Sequence, residues 1–239
     1  MIRDTSIGAR LWTTAVWVVV GFFVLNLLAM IATVIIDSFA TRWLGTWLPV
    51  GLTTKWYSSA WSEFQLGQVL VVTFEIVFTV VLLAGLLGVT AAYAMARRDF
   101  PGKRVVMLLF LLPLLLPPSP YGIPMATVLY QSGVGGTFWG VVLANLVPTV
   151  PFVVLVMIPF IEQIDPKVEA AARVFGAGTF RLFLYVLLPM LLPGILAALL
   201  LVLVRTIAMF ELTFLAAGPT SQTLVVVLYY SVFAPDRKS

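Results

Sequence analysis

A chain of 239 residues that is 62% hydrophobic and only 10% charged cannot hide its apolar surface in a water-soluble fold, where charged residues make up about 25%. Lipid is its natural solvent, and an all-α integral membrane protein is expected. With no cysteine and no histidine, disulfides, thiol nucleophiles, imidazole bases, most hydrolytic triads and the usual zinc, haem and iron–sulfur ligand sets are excluded, so no metal site is expected. The net charge of +4 sits in short basic clusters between apolar stretches, a pattern that sets membrane topology rather than nucleic-acid binding.

The first apolar stretch, residues 11–36, contains no charge. It is longer than a signal-peptide core of about 7–15 residues and reads as a retained N-terminal transmembrane helix. Residues 37–65 carry Trp43, Trp47, Trp56, Tyr57 and Trp61, which suit an interfacial aromatic belt. The second span, residues 66–96, has Glu75 as its one charge. As a helix it would be roughly 46 Å long, so it tilts or projects from the bilayer. On it Ala84, Gly88, Ala92 and Ala96 recur every four residues, a small-residue stripe that admits a close neighbour, either within the chain or in another subunit.

The third span, about residues 105–130, carries Pro113, Pro117, Pro118, Pro120 and Pro124. Each proline removes a backbone donor, so the helix is expected to be kinked or broken and to face the protein interior, where the freed backbone finds partners. The fourth, residues 138–161, holds Asn145 and three prolines; Asn145 reads as interhelical glue or as a solute-path residue. The fifth, about residues 184–210, carries Arg205 near its end. Residues 224–233 are apolar but span only about 15 Å as a helix, too short to cross, and read as a short outer-face helix.

Basic residues orient the chain. Arg3 and Arg10, then Arg97, Arg98, Lys103 and Arg104, then Lys167, Arg173 and Arg181 all fall on one side of a five-span arrangement; Arg42, Lys55, Arg237 and Lys238 fall on the other. The positive-inside rule places the N-terminus and the 162–183 loop in the cytoplasm.

That loop has a helical pattern of its own. Asp165 can cap a helix beginning at Pro166, Ala170, Ala171 and Ala172 favour helix, and Gly176 and Gly178 allow a sharp turn before a second amphipathic piece with Phe180, Phe183 and Leu184 apolar. A helix, a glycine turn and a second helix outside the membrane make a shape that docks into a groove on a partner.

The same residues resemble the EAA loop of type I ABC importer permeases, E-A-A-x-x-x-G followed after nine residues by I-x-L-P. Ala171, Ala172 and Gly176 fit, as do Val186, Leu188 and Pro189, with valine for isoleucine. The motif's glutamate position falls on Ala170, and the acid lies one residue earlier, at Glu169. The resemblance extends from about residue 11 to 235. It implies a single transmembrane permease domain over 1–239 in a bacterial inner membrane, with a sixth core helix expected beyond residue 239.

It further implies a coupling helix in which Glu169, Ala170, Ala171, Ala172, Gly176, Ala177, Gly178, Phe180 and Arg181 meet a cytoplasmic ABC ATPase dimer. A second permease chain, of a different kind in this branch, and a periplasmic or extracellular solute-binding protein complete the assembly. The sequence has no G-x-x-x-x-G-K-[ST] phosphate loop, so ATP and magnesium are expected on the partner ATPase, with no cofactor on this chain and no enzymatic activity of its own.

For the solute, Gly51 to Tyr57 looks like the G-F-T-x-x-W-Y segment of spermidine/putrescine permeases, and Gly218-Pro219, Leu224 and Tyr229-Tyr230 look like a later stretch of theirs. Sugar and polyol permeases share parts of both. Glu75 and Arg205 both lie toward the outer half of their spans and are expected either to pair or to line the solute path, with snorkelling a further option for Arg205. Glu211, at the outer end of the fifth span, faces a cationic solute or is a hydrated helix end. The readings from other classes are a stand-alone secondary carrier, which would lack an ATPase partner, and a membrane scaffold that moves no solute.

Overall fold

The computed structural model describes residues 7–43 and 45–233. Arg3, Arg237 and Lys238, used above for orientation, lie outside them. The chain divides into two compact units, Met1–Gln65 and Leu66–Ser239.

The first unit holds α1, Ile7–Phe39, and α2, Lys55–Glu63. The helix expected over residues 11–36 is longer at both ends, and its most apolar 18-residue window, with a mean hydropathy of 2.7, has no buried residue. The loop after it is braced by its own bonds. Thr41 N–H donates to the Gly51 carbonyl (2.9 Å), Trp56 Nε1 donates to the Ala40 carbonyl (2.9 Å), and the Tyr57 hydroxyl donates to Ser38 Oγ (2.7 Å). Trp47, Trp56, Tyr57 and Trp61 are exposed, as amphipathic rings at a membrane surface would be.

The second unit contains α3, Leu66–Arg97; α4, Lys103–Leu115; α5, Pro118–Gln131; α6, Phe138–Glu162; α7, Pro166–Val174; α8, Thr179–Leu182; α9, Leu188–Ile207; α10, Glu211–Ala216; and α11, Leu224–Phe233. Its core is α3, α6 and α9. Val81, Ala84 and Ala92 of α3, Val153, Val154 and Met157 of α6, and Leu191, Ala198 and Val202 of α9 are buried together. The small-residue stripe serves this packing within the chain. A Cβ at Gly88 would lie 2.5 Å from Val153 Cβ, and one at Gly194 would lie 2.6 Å from the Phe160 ring.

The proline-rich third span is two helices, α4 and α5, bent by 102° at Leu116–Pro117. The expectation that it faces the interior is corrected. No residue of α4 is buried, and α5 buries only Gly122 and Ala126. A near right angle lets each short helix offer only a thin stripe to the core. By contrast, α6 stays one helix through Pro148, Pro151 and Pro159. Packing on both sides holds it, and the Thr149 hydroxyl donates to the Asn145 carbonyl (2.5 Å).

The fifth span also differs from the 184–210 expected. It runs continuously from Thr179 to Ile207 through a π-helical turn, Phe183–Leu187. Pro189 has no N–H for the Tyr185 carbonyl, and the Leu188 N–H reaches back five residues to the Phe183 carbonyl, the wider spacing of a π-bulge. The helix then breaks at Ala208–Phe210, and Glu211 opens the separate α10. Leu212 and Ala216 of α10 are fully buried beside Ile76, Val80, Val141 and Val142. The N–H of Leu224, which starts α11, donates to Thr73 Oγ1 (2.9 Å).

Candidate docking loop and polar helix breaks

The loop between α6 and α9 begins as its sequence dictates. The Asp165 carboxylate accepts from the Lys167 N–H (2.9 Å), and Pro166 takes the first helical position. One turn of α7 faces inward. Val168 and Ala172 pack on the core, and Glu169 between them is buried. The spacing of Val168, Glu169 and Ala172 is that of one helix face. Lys167, Ala170, Ala171 and Arg173 face solvent. At the C-terminus, Gly176 takes a left-handed φ of 82°, and the Ala177 N–H donates to the Ala172 carbonyl (3.0 Å), so the chain reverses sharply. Gly178 has φ −66° and needs no glycine conformation. Truncation of the cap, Asp165→Ala, is expected to weaken α7 by about 1 kcal/mol, visible as faster amide exchange at Lys167 and Val168 with no change elsewhere.

Glu169 does not point to a partner. Its Oε1 accepts from Arg97 Nε (2.7 Å) and its Oε2 from the Tyr93 hydroxyl (2.6 Å). Arg97 Nη2 also donates to the Ile164 carbonyl (2.6 Å). These charge-assisted bonds clamp α7 to the end of α3. Tyr93 was not singled out from the sequence, and Arg97 entered only as a basic residue that orients the chain, although their four-residue spacing places them on one face of α3. Beyond the charged Lys167 and Arg173, the loop also leaves apolar side chains outward: Val174 is 85% exposed, Phe175 90% and Phe180 77%. Gly176 and Arg181 are exposed beside them, and Ala177 is half-buried.

The remaining sequence candidates gather at the two helix breaks, with one exception. Glu75 is exposed on α3 and makes no ion pair among the described residues, so the Glu75–Arg205 pair is corrected. Instead the Arg205 guanidinium lies over the Phe152 ring of α6, 5.1 Å from its centre. Glu211, at the start of α10, accepts from the Ser119 hydroxyl at the start of α5 (3.4 Å). Asn145 acts as interhelical glue, its Nδ2 donating to the Val141 carbonyl (2.9 Å) and to Thr213 Oγ1 of α10 (3.0 Å). Its Oδ1, and Thr206 Oγ1 next to Arg205, are buried without a hydrogen-bond partner among the described residues. Beyond Phe210, the rings of Phe214, Tyr229 and Phe233 pack in succession, the first pair edge to face at 5.3 Å and the second tilted at 4.8 Å.

Long apolar helices, a proline-broken segment and a clamped loop with an apolar tip define a multi-pass membrane protein. Residues 84–234 match the family of binding-protein-dependent transport system inner membrane components, and the chain belongs to that family. It is 31% identical over 153 residues to the diacetylchitobiose uptake system permease protein NgcG of Streptomyces coelicolor, covering 62% of this chain and 51% of that one. It is 34% identical over 149 residues to the molybdate/tungstate transport system permease protein WtpB of Thermococcus kodakarensis, covering 62% and 60%. The chain thus spans between half and two thirds of these relatives' length. Its fold is that of a chain in the crystal structure of a bacterial ABC transporter involved in the import of the acidic polysaccharide alginate. The TM-score is 0.79 at 18% identity, over 98% of this chain and 85% of that one.

Proposed function

We propose that this chain is a permease subunit of an ATP-driven, binding-protein-dependent importer, forming half of the translocation path with its N-terminus in the cytoplasm. The exposed apolar tip of Val174, Phe175 and Phe180 carries this reading. Exposed aromatics on a loop outside the bilayer are the anchors of a docking interface. The loop seats in a cleft of a cytoplasmic ATPase dimer, which holds ATP and magnesium and hydrolyses the nucleotide. The solute arrives on a binding protein outside and passes the breaks at Leu116–Pro117 and Ala208–Phe210, where open backbone lines a wet path.

The relatives' names point to saccharides and oxyanions, and these solute classes have more support than polyamines. The residues behind the polyamine resemblance have local structural work: Trp56 and Tyr57 brace the loop before α2, and Gly218 lies against the Gly136 backbone.

The test is co-purification. The chain, expressed with its genomic neighbours and reconstituted in nanodiscs, is expected to retain an ATPase subunit. Val174→Ser, Phe175→Ser and Phe180→Ser together are expected to weaken that association by about thirtyfold or more, the cost of hot-spot anchors. Retention of the ATPase by the triple variant would discard the docking face, and absence of any ATPase from the parent would favour a secondary carrier.

A further inference from the structure

The turn between α3 and α4 gathers basic charge that the fold does not use. Arg97 is spent on Glu169 and the Ile164 carbonyl. Arg98 and Arg104 are exposed and, among the described residues, form no ion pair and no side-chain hydrogen bond. Lys103 bonds Asp99 (3.0 Å), whose side chain is almost wholly exposed, a pair that contributes little in water. Asp99, Phe100, Gly102, Lys103 and Arg104 line one cavity of about 340 Å³, so Lys103 and Arg104 border the same space. Gly102 caps α4 without a side chain, which leaves first-turn N–H groups to water or to a ligand.

Helix α4 leads from that charge into an apolar stripe. Phe110 packs on the core, while Arg104, Leu108, Leu112 and Leu115 are exposed at the spacing of one helix face. From Arg104 to Leu115 the stripe runs about 17 Å, roughly half of a hydrocarbon core about 30 Å thick. The bend at Leu116–Pro117 ends it. A basic head on an apolar stripe one leaflet long matches a phospholipid in both charge and length.

We propose that the α3–α4 turn and the outer stripe of α4 bind an anionic phospholipid. Its phosphate meets Arg104 and Lys103 at the cavity, and an acyl chain lies along Leu108, Leu112 and Leu115. Arg104 offers planar, forked donors that suit phosphate oxygens, and Arg98 adds to the positive field. Lys103 keeps Asp99 paired, so the two arginines remain for the lipid. A zwitterionic headgroup would bring an ammonium toward Arg98 and Arg104, so the preference is for a headgroup of net negative charge, such as phosphatidylglycerol. The inference requires that α3 and α4 lie in a bilayer and does not depend on the ATPase partner.

The chain has no native cysteine, so Leu108→Cys carrying a fluorophore reports on the stripe. The assembled complex is placed in nanodiscs of phosphatidylcholine and phosphatidylglycerol with matched chains, one or the other bearing a nitroxide on its acyl chain. The parent complex, put through the same labelling, subtracts any signal from its partners. Quenching is expected to favour labelled phosphatidylglycerol about thirtyfold in relative affinity, the weight of two unpaired basic side chains at a membrane surface. Arg104→Gln is expected to lower that preference about fivefold. Arg104→Lys is expected to keep most of it, which separates charge from misfolding. Equal quenching by the two lipids would leave only bulk bilayer at the stripe, and quenching by neither would mean that a second permease chain covers it. A preference abolished by added inorganic phosphate would assign the cavity to a soluble anion. A loss as large from Arg173→Gln, on α7, would reduce the effect to the diffuse attraction of any basic residue. Each of these four results overturns the proposal.

Discussion

Glu169→Ala is expected to release α7 from the core while the spans stay folded. The substitution leaves Arg97, whose side chain is only 13% exposed, without a counter-charge and with only the Ile164 carbonyl as acceptor, and takes the acceptor from the Tyr93 hydroxyl. Removing one partner of a buried, hydrogen-bonded pair costs about 3 kcal/mol. That cost falls on the opening of one short helix rather than on global unfolding. Limited trypsin digestion reads it directly, because Arg173 is exposed on α7. If cleavage follows the open population, the rate at Arg173 is expected to rise roughly a hundredfold. Glu169→Gln keeps an oxygen for Arg97 and Tyr93 and is expected to fall between parent and Ala. In the complex, ATP turnover is expected to persist while solute moved per ATP drops, because a loose α7 no longer carries movement into α3. Equal cleavage of parent and Glu169→Ala would show that the clamp contributes nothing.

Much of this arrangement was legible because a bilayer forces each crossing segment to satisfy its backbone internally. The apolar runs at 66–96 and 138–161 therefore became Leu66–Arg97 and Phe138–Glu162 almost residue for residue. The Asp165 cap and the Gly176 reversal were legible for local reasons of the same kind. The break at Ala208–Phe210 was not. That stretch has no proline or glycine, and the chain turns there because Leu212 and Ala216 find a place beside α3 and α6. The Glu75–Arg205 expectation failed because depth along two helices says nothing of which way each side chain points: Glu75 is exposed on α3, and Arg205 lies over the Phe152 ring of α6. The role of Glu169 lay between these cases. Its inward face follows from its spacing with Val168 and Ala172, but its partners sit more than seventy residues earlier, on α3.

The joint between α3 and α6 is where a single carbon should matter most. A Cβ at Gly88 would stand 2.5 Å from Val153 Cβ and 2.6 Å from its Cγ1, with the Val150 carbonyl oxygen at 3.3 Å. Val153 is fully buried, and its Cβ is fixed to the backbone, so no rotamer change relieves the contact. Gly88→Ala must push the helices apart, an overpacking cost of about 2–3 kcal/mol. Gly85→Ala is the control. Its Cβ would meet Leu199 Cδ2 at 2.7 Å, the far end of a side chain that can swing, so a loss below about 1 kcal/mol is expected. Melting of the purified chain in detergent should therefore fall clearly for Gly88→Ala and little for Gly85→Ala. The geometry makes a sharper demand of the double variants. Val153→Ala retains the Cβ and should not rescue Gly88→Ala, whereas Val153→Gly removes it and should restore part of the loss despite the weaker helix. Rescue by Val153→Ala, or a larger loss at Gly85 than at Gly88, would mean that the close approach of α3 and α6 does not set the stability of this joint. The same approach brings α3 into register for Arg97 to reach Glu169, so Gly88→Ala is also expected to raise trypsin cleavage at Arg173, linking the packing of the spans to the seating of the docking loop.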